Sequence, residues 1–106
     1  MIIDRNNRQW SIDFVSAVLS YPFGNRGLKL INNLFENHRG GTVCQENPYW
    51  FFTYHDLTDD DPYQGICKEN EVVLSMDFVG YEEEIQVLTY NELREILDYV
   101  LNKKKS

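Results

Sequence analysis

Two acidic triplets, each beside a tyrosine, are the residues whose types and spacing best fit a chemical task. Asp59–Asp61 precede Tyr63, and Glu82–Glu84 follow Tyr81. Carboxylates attract a basic surface over long distances, and tyrosine rings supply contact area once the two surfaces meet. Eight residues are therefore predicted to bind a basic protein partner: Asp59, Asp60, Asp61, Tyr63, Tyr81, Glu82, Glu83 and Glu84.

The distribution of charge along the chain supports this prediction. The 106 residues carry a formal net charge of −7, yet residues 46–98 hold 14 acids against 2 bases, and residues 1–45 hold 3 acids against 5 bases. The alternative is that acidic loops only keep a small domain soluble, but solubility does not require segregation by sign. A net negative charge also disfavours nucleic acid and anionic membranes as direct partners.

A metal site is the competing interpretation of the aspartates. Clustered carboxylates suit hard cations, but an EF-hand loop starting at Asp59 would place Gln64 at the turn glycine and Asn70 at the bidentate glutamate. The short paired spacing of a zinc site is also missing from the candidate ligands, which are Cys44, Cys67, His38 and His55. We predict a solvated acidic turn, with no metal and no cofactor.

Catalysis would need a nucleophile, a base and an orienting group. His38 is predicted at a helix C-terminus and His55 at a strand end beside Asp56, so structural roles account for both. We predict that the protein is not an enzyme. Two alternatives stay open: a small hydrolase or nuclease using His38 and His55, and a structural subunit or homodimer with a self-complementary aromatic face.

Length and composition indicate one domain spanning residues 1–106, with 42% hydrophobic residues and 15 aromatic rings for a core. The longest apolar stretches, such as residues 14–19, are far shorter than the ~18 residues that span a bilayer. The first ten residues do not resemble a signal peptide. These features predict a cytoplasmic protein in which Cys44 and Cys67 are reduced.

Periodicity predicts three helices. Ser11 is the expected N-cap of the first, which runs to Tyr21-Pro22, and the second extends from Gly24 to the Gly40-Gly41 pair. The third has a capping box in Thr89-Tyr90-Asn91-Glu92, followed by apolar residues at helical spacing and three lysines at its end.

Alternating strand-forming residues predict an antiparallel meander of three or more strands between the second and third helices. The strand after Pro48 is apolar on both faces and is expected to be central; residues 65–68, 71–79 and 82–88 also have extended patterns. The element order predicts an α+β fold with two N-terminal helices and one C-terminal helix packed on the sheet. Its expected core contains Phe14, Leu34, Phe52, Leu74, Ile85, Leu93 and Leu97.

The C-terminal half of the chain resembles a known class of proteins. The residues that carry the resemblance are Gly65-Ile66, Glu71-Val72-Val73-Leu74, the acidic Glu82-Glu83-Glu84 connection and the Thr89–Leu97 pattern. Together they resemble small acidic immunity proteins of bacterial contact-dependent growth inhibition, particularly those that protect against ribonuclease toxins. The resemblance implies a cytoplasmic, non-enzymatic protein that binds a cognate toxin nuclease and blocks its nucleic-acid-binding groove. It assigns no role to any numbered residue.

Overall fold

Two helices, three strands and a final helix follow one another along the chain. The structure, a computed structural model, describes residues 1–44 and 46–105, with the side chains of residues 104 and 105 outside the description. This order confirms the predicted α+β fold, and the elements are α1 (Arg8–Leu19), α2 (Asn25–Asn37), β1 (Tyr49–Thr53), β2 (Glu71–Met76), β3 (Glu84–Thr89) and α3 (Tyr90–Lys105).

Helix α1 begins earlier than the sequence suggested. Its N-cap is Asn7, whose side-chain oxygen accepts the Trp10 backbone N–H at 3.1 Å, so the prediction of Ser11 as the cap was wrong. Ser11 is buried inside the helix, and its hydroxyl donates to the Arg8 carbonyl at 3.2 Å. Serine and asparagine are both good N-caps, but only Asn7 stands before the first turn, where it satisfies the Trp10 amide.

Helices α1 and α2 approach each other closely at Gly27. A Cβ atom at this position would lie 2.1 Å from the backbone oxygen of Val18, so only glycine fits there without moving a helix. Helix α2 ends at Asn37, and its C-cap His38 has a left-handed conformation with φ of 53°. His38 therefore follows the last turn instead of forming part of it.

The three strands form an antiparallel sheet in the order β1-β2-β3, so β1 lies at an edge and the prediction of a central β1 was wrong. Its residues are apolar on both faces because helices cover one face and a loop covers the other. Gly41 pairs with Phe51 along the outer edge of β1, and Ile2 pairs with Ile85 along the outer edge of β3. These isolated pairings satisfy backbone groups at one point of each sheet edge.

The main core lies between the helices and one face of the sheet. Phe51 is fully buried there, whereas Phe52, which the sequence pattern placed in the core, points to the opposite face. Adjacent strand residues face opposite sides of a sheet, and both positions carry phenylalanine, so residue type did not distinguish them. The buried core residues include Phe14, Val15, Val18, Ile31, Leu34, Leu74, Leu88, Leu93 and Leu97.

A loop of residues 57–67 covers the opposite face of the sheet, which we call the outer face. It forms a second cluster in which Cys67, Val73 and Ile85 are buried and Phe52 and Tyr63 pack against them. Residues 65–68 are not a strand as predicted: the Ile66 and Cys67 amides donate to the Tyr63 carbonyl at 3.1 and 3.2 Å, as in consecutive turns. Pro62 and Gly65 favour turns at this point.

The predicted capping box opens α3. The Thr89 amide donates to Glu92 Oε1 at 2.9 Å, and the Glu92 amide donates to Thr89 Oγ1 at 3.1 Å. The same Glu92 carboxylate accepts Arg5 at 3.1 Å and Arg8 at 3.3 Å, and Arg5 also binds Glu71 at 2.9 Å. This network joins the first residues of the chain to the starts of β2 and α3.

Candidate protein-binding surface

The connection between β2 and β3 presents exposed apolar side chains beside acidic ones. Strand β2 ends at Met76, three residues earlier than predicted, and residues 77–83 form the connection. Phe78 is 44% exposed, Val79 is fully exposed and Tyr81 is 79% exposed. Large apolar side chains at the tip of a hairpin contribute little to the core, so their exposure favours an interaction role.

Backbone contacts hold this connection in place. The Asp77 amide donates to the Pro48 carbonyl at 2.9 Å, and the Tyr81 amide donates to the Phe78 carbonyl at 3.1 Å. The Phe78 ring meets the Tyr49 ring edge to face, with their centroids 6.1 Å apart. Phe78 is therefore fixed against β1 while part of its ring remains open to solvent.

An open groove of about 540 Å³ lies beside the connection, and we call it the hairpin groove. Four apolar or aromatic side chains and two carboxylates line it: Met1, Met76, Phe78, Tyr81, Glu82 and Glu84. Apolar walls with carboxylates among them suit an amphipathic cation. Three of the eight residues predicted to bind a partner, Tyr81, Glu82 and Glu84, thus line one groove.

The three glutamates of the second triplet have different surroundings. Glu82 lies 3.2 Å from the Met1 amino group and remains largely exposed. Glu83 accepts a hydrogen bond from the Ser75 hydroxyl on the outer face, whereas Glu84 accepts the Trp10 indole N–H at 3.4 Å on the helix side. The triplet is therefore divided between the two sides of the sheet.

The first triplet lies in the loop that covers the outer face. Asp59 and Asp60 are exposed, while Asp61 accepts hydrogen bonds from the Thr58 amide at 2.9 Å and its hydroxyl at 3.2 Å. Those bonds give Asp61 a structural role in the turn.

Tyr63 connects this loop to the β2–β3 connection. Its ring packs on Phe52, with the two ring centroids 5.7 Å apart. Burial, and to a smaller extent a hydrogen bond with Glu83, raises the pKa of the Tyr63 hydroxyl. Of the predicted binding residues in the described part of the chain, Tyr63 and Glu83 thus meet on the outer face. The carboxylates of Asp59 and Asp60 extend from the same loop without a described contact to Glu82 or Glu84.

Sequence reasoning missed three residues of the hairpin groove, Met1, Met76 and Phe78. The alternation of Met76 and Phe78 with Val72 and Leu74 suggested one continuous strand face, which placed both with core residues. The available signal was Gly80, whose φ of 88° marks the turn. An apolar residue two positions before a glycine turn can lie beyond the last strand pair and face solvent.

The two histidines of the alternative enzyme hypothesis are neighbours. Their rings are nearly parallel, with centroids 6.2 Å apart, and Tyr90 stacks on His38 at 4.7 Å. Arg39 donates to the His55 carbonyl at 3.1 Å, which holds this turn against the end of α2. The arrangement stabilises the turn and places the two imidazoles side by side.

The cysteines and possible metal ligands lie apart from the hairpin groove. Cys44 and Cys67 are separate free thiols, the first exposed and the second buried. Burial, with a smaller effect of the Glu71 charge, raises the pKa of Cys67 to about 11. Among the described residues there is no group of three or more histidine, cysteine, aspartate or glutamate side chains suited to hold a metal ion.

No protein-family model, curated protein or solved structure matches this chain. Within residues 1–44 and 46–105, each helix is too short or too polar to cross a bilayer.

Proposed function

We propose that this chain is a cytoplasmic immunity protein that binds and neutralises a basic bacterial toxin, in particular a nuclease. The observation that carries the proposal is the combination of exposed rings and carboxylates at the β2–β3 connection. Tyr81 and Phe78 are open to solvent there, and Glu82 and Glu84 lie beside them. The resemblance of the C-terminal half to immunity proteins supports the same function.

The proposed mechanism is occlusion of the toxin's nucleic-acid-binding groove. Carboxylates occupy positions where the toxin would otherwise hold phosphates, and aromatic rings supply the contacts that exclude water. Residues 77–84, which are the connection and the first residue of β3, contain four acids and no base, so this segment offers a local negative charge to a basic groove. Asp59 and Asp60 add exposed negative charge on the loop of the outer face. The mechanism needs neither a metal nor a cofactor.

The test begins with the neighbouring genes, since an immunity gene is expected immediately downstream of a gene for a large secreted protein. The C-terminal domain of that protein is then purified and its nuclease activity measured with increasing amounts of this chain. We expect co-purification and loss of activity near one equivalent. A domain that neither binds the chain nor loses activity would contradict the proposal, and self-association without binding would favour the homodimer alternative.

One observation favours a second candidate, a metal-independent nuclease. The parallel rings of His38 and His55 place a potential general acid and a potential general base side by side. Nuclease activity that co-elutes with the purified chain and is lost in both His38→Ala and His55→Ala would establish this candidate. Our proposal predicts no such activity.

A further inference from the structure

We propose that the hairpin groove is the receptor for one arginine side chain of the partner protein. The inference rests on the proposed function for the basic character of that partner, and it adds the chemical group that the groove recognises. In this arrangement the aliphatic stem lies along Met76 and Phe78, and the guanidinium lies at the carboxylates of Glu82 and Glu84.

The lining of the groove limits the chemistry of its occupant. Met1, Met76, Phe78 and Tyr81 provide apolar and aromatic surface, which a small hydrated cation would not use. The two carboxylates repel an anion and disfavour a purely apolar side chain that would desolvate them. A long apolar stem that ends in a cation matches both parts of the lining.

The two carboxylates differ in their present partners. Glu84 has no ion-pair partner among the side chains that the structure describes, and the Trp10 indole N–H holds one of its oxygens at 3.4 Å without neutralising the charge. Glu82 is 74% exposed but already pairs with the Met1 amino group at 3.2 Å, so a guanidinium must share or replace that pair. The Trp10 contact therefore orients Glu84 in advance, which reduces the conformational entropy cost of binding.

Arginine fits the groove better than lysine does. A guanidinium is planar, stacks on aromatic rings and can donate two parallel hydrogen bonds to a carboxylate. The Phe78 ring is held edge to face against Tyr49 and the Tyr81 ring is exposed, so two rings are accessible beside the carboxylates. A lysine ammonium would form the ion pair without the planar stacking.

The test is an NMR titration of the full chain with short blocked peptides that differ at one residue. The probes contain arginine, lysine or citrulline, which has nearly the shape of arginine without its charge. We expect saturable shifts of the amides of residues 76–84 by the arginine peptide, with a dissociation constant on the order of 10 mM. Lysine should bind about threefold more weakly and citrulline weakest.

Variants establish which carboxylate is responsible. Glu84→Gln should weaken arginine binding by about threefold, whereas Glu69→Gln, the same change of charge at an exposed turn, should leave it unchanged. Four results would each overturn the inference: equal binding of arginine and citrulline, amide shifts that leave residues 76–84 unaffected, no saturable shift up to about 50 mM, and equal effects of the two variants. Because no toxin is present, these results are distinct from a failure of the toxin to bind.

Discussion

The carboxylate of Glu92 has two structural roles that a single substitution separates. It accepts the Thr89 amide in the capping box, and its charge binds Arg5 and Arg8. Glutamine can form the same box but cannot form the ion pairs, so Glu92→Gln removes the charge alone. Both arginines are 40% or more exposed, so solvent reduces the two pairs to about 1 kcal/mol in total at neutral pH.

That destabilisation should lower the thermal midpoint by roughly 4–8 °C for a chain of this size. Burial alone would raise the pKa of Glu92, but hydrogen bonds from Thr89 and the charge of Arg5 lower it below the ordinary value of 4.5. A lowered pKa in the folded state means that the stabilisation is complete above pH 4.5 and is lost as pH falls through the folded value.

Wild type and Glu92→Gln should therefore differ in stability at pH 7 and converge as the pH falls below 4.5 through the lowered pKa of Glu92. Urea unfolding followed by circular dichroism at several pH values measures both free energies of unfolding. Refutation would be a difference that stays constant from pH 7 to pH 3, because it would assign the destabilisation to packing or to the capping box instead of the charge.

Three other substitutions or reactions test separate parts of the structure. Gly27→Ala should lower the free energy of unfolding by about 1–3 kcal/mol because it pushes α1 and α2 apart. Gly65→Ala should be nearly neutral, because a Cβ there meets nothing within 4 Å. Similar free energies of unfolding for the two variants in urea would contradict the close helix contact. Cys44 should react rapidly with a thiol reagent at about pH 8, whereas Cys67 should react only on unfolding, because it is buried and its pKa is raised. Equal reaction rates of the two thiols in a stopped-flow assay would contradict the burial of Cys67. Tyr81→Ala should leave the chain folded and raise the dissociation rate of the partner about tenfold for each ~1.4 kcal/mol of binding free energy that the ring supplies. An unchanged dissociation rate in surface plasmon resonance would show that Tyr81 does not contribute to the interface.

Local signals predicted the three helices and three of the four extended segments. The Thr89–Glu92 box gave the start of α3 because both of its hydrogen bonds are encoded within four residues. The position of β1 in the sheet was not available in the same way. Apolar residues on both faces show that both faces of β1 are covered, here by the helices and by the 57–67 loop. They do not show whether β1 has a neighbouring strand on each side, which is what a central position requires.

The sequence analysis named three of the six groove residues, Tyr81, Glu82 and Glu84, and it did not anticipate the groove itself. Adjacent glutamates have the same residue type, yet they have partners on opposite sides of the sheet. Glu83, the last residue of the connection, binds Ser75 on the outer face, and Glu84, the first residue of β3, binds Trp10 on the helix side. The hairpin groove depends on where β2 ends and on the approach of Met1, which are tertiary features. A run of acids therefore indicated the sign of the surface but not its shape.

The most direct test of a partner-binding acidic surface is the association rate of the chain with its toxin domain at low and moderate salt. The wild-type rate should be high at low salt and fall as salt screens the charges. Combined Glu82→Gln and Glu84→Gln substitutions should slow association and flatten the salt dependence, and Asp59→Asn with Asp60→Asn should do so more weakly. Circular dichroism checks that all variants are folded. If both double variants then associate at the same rate as Glu69→Gln at both salt concentrations, the acidic side chains do not steer the partner and the proposed binding surface is contradicted.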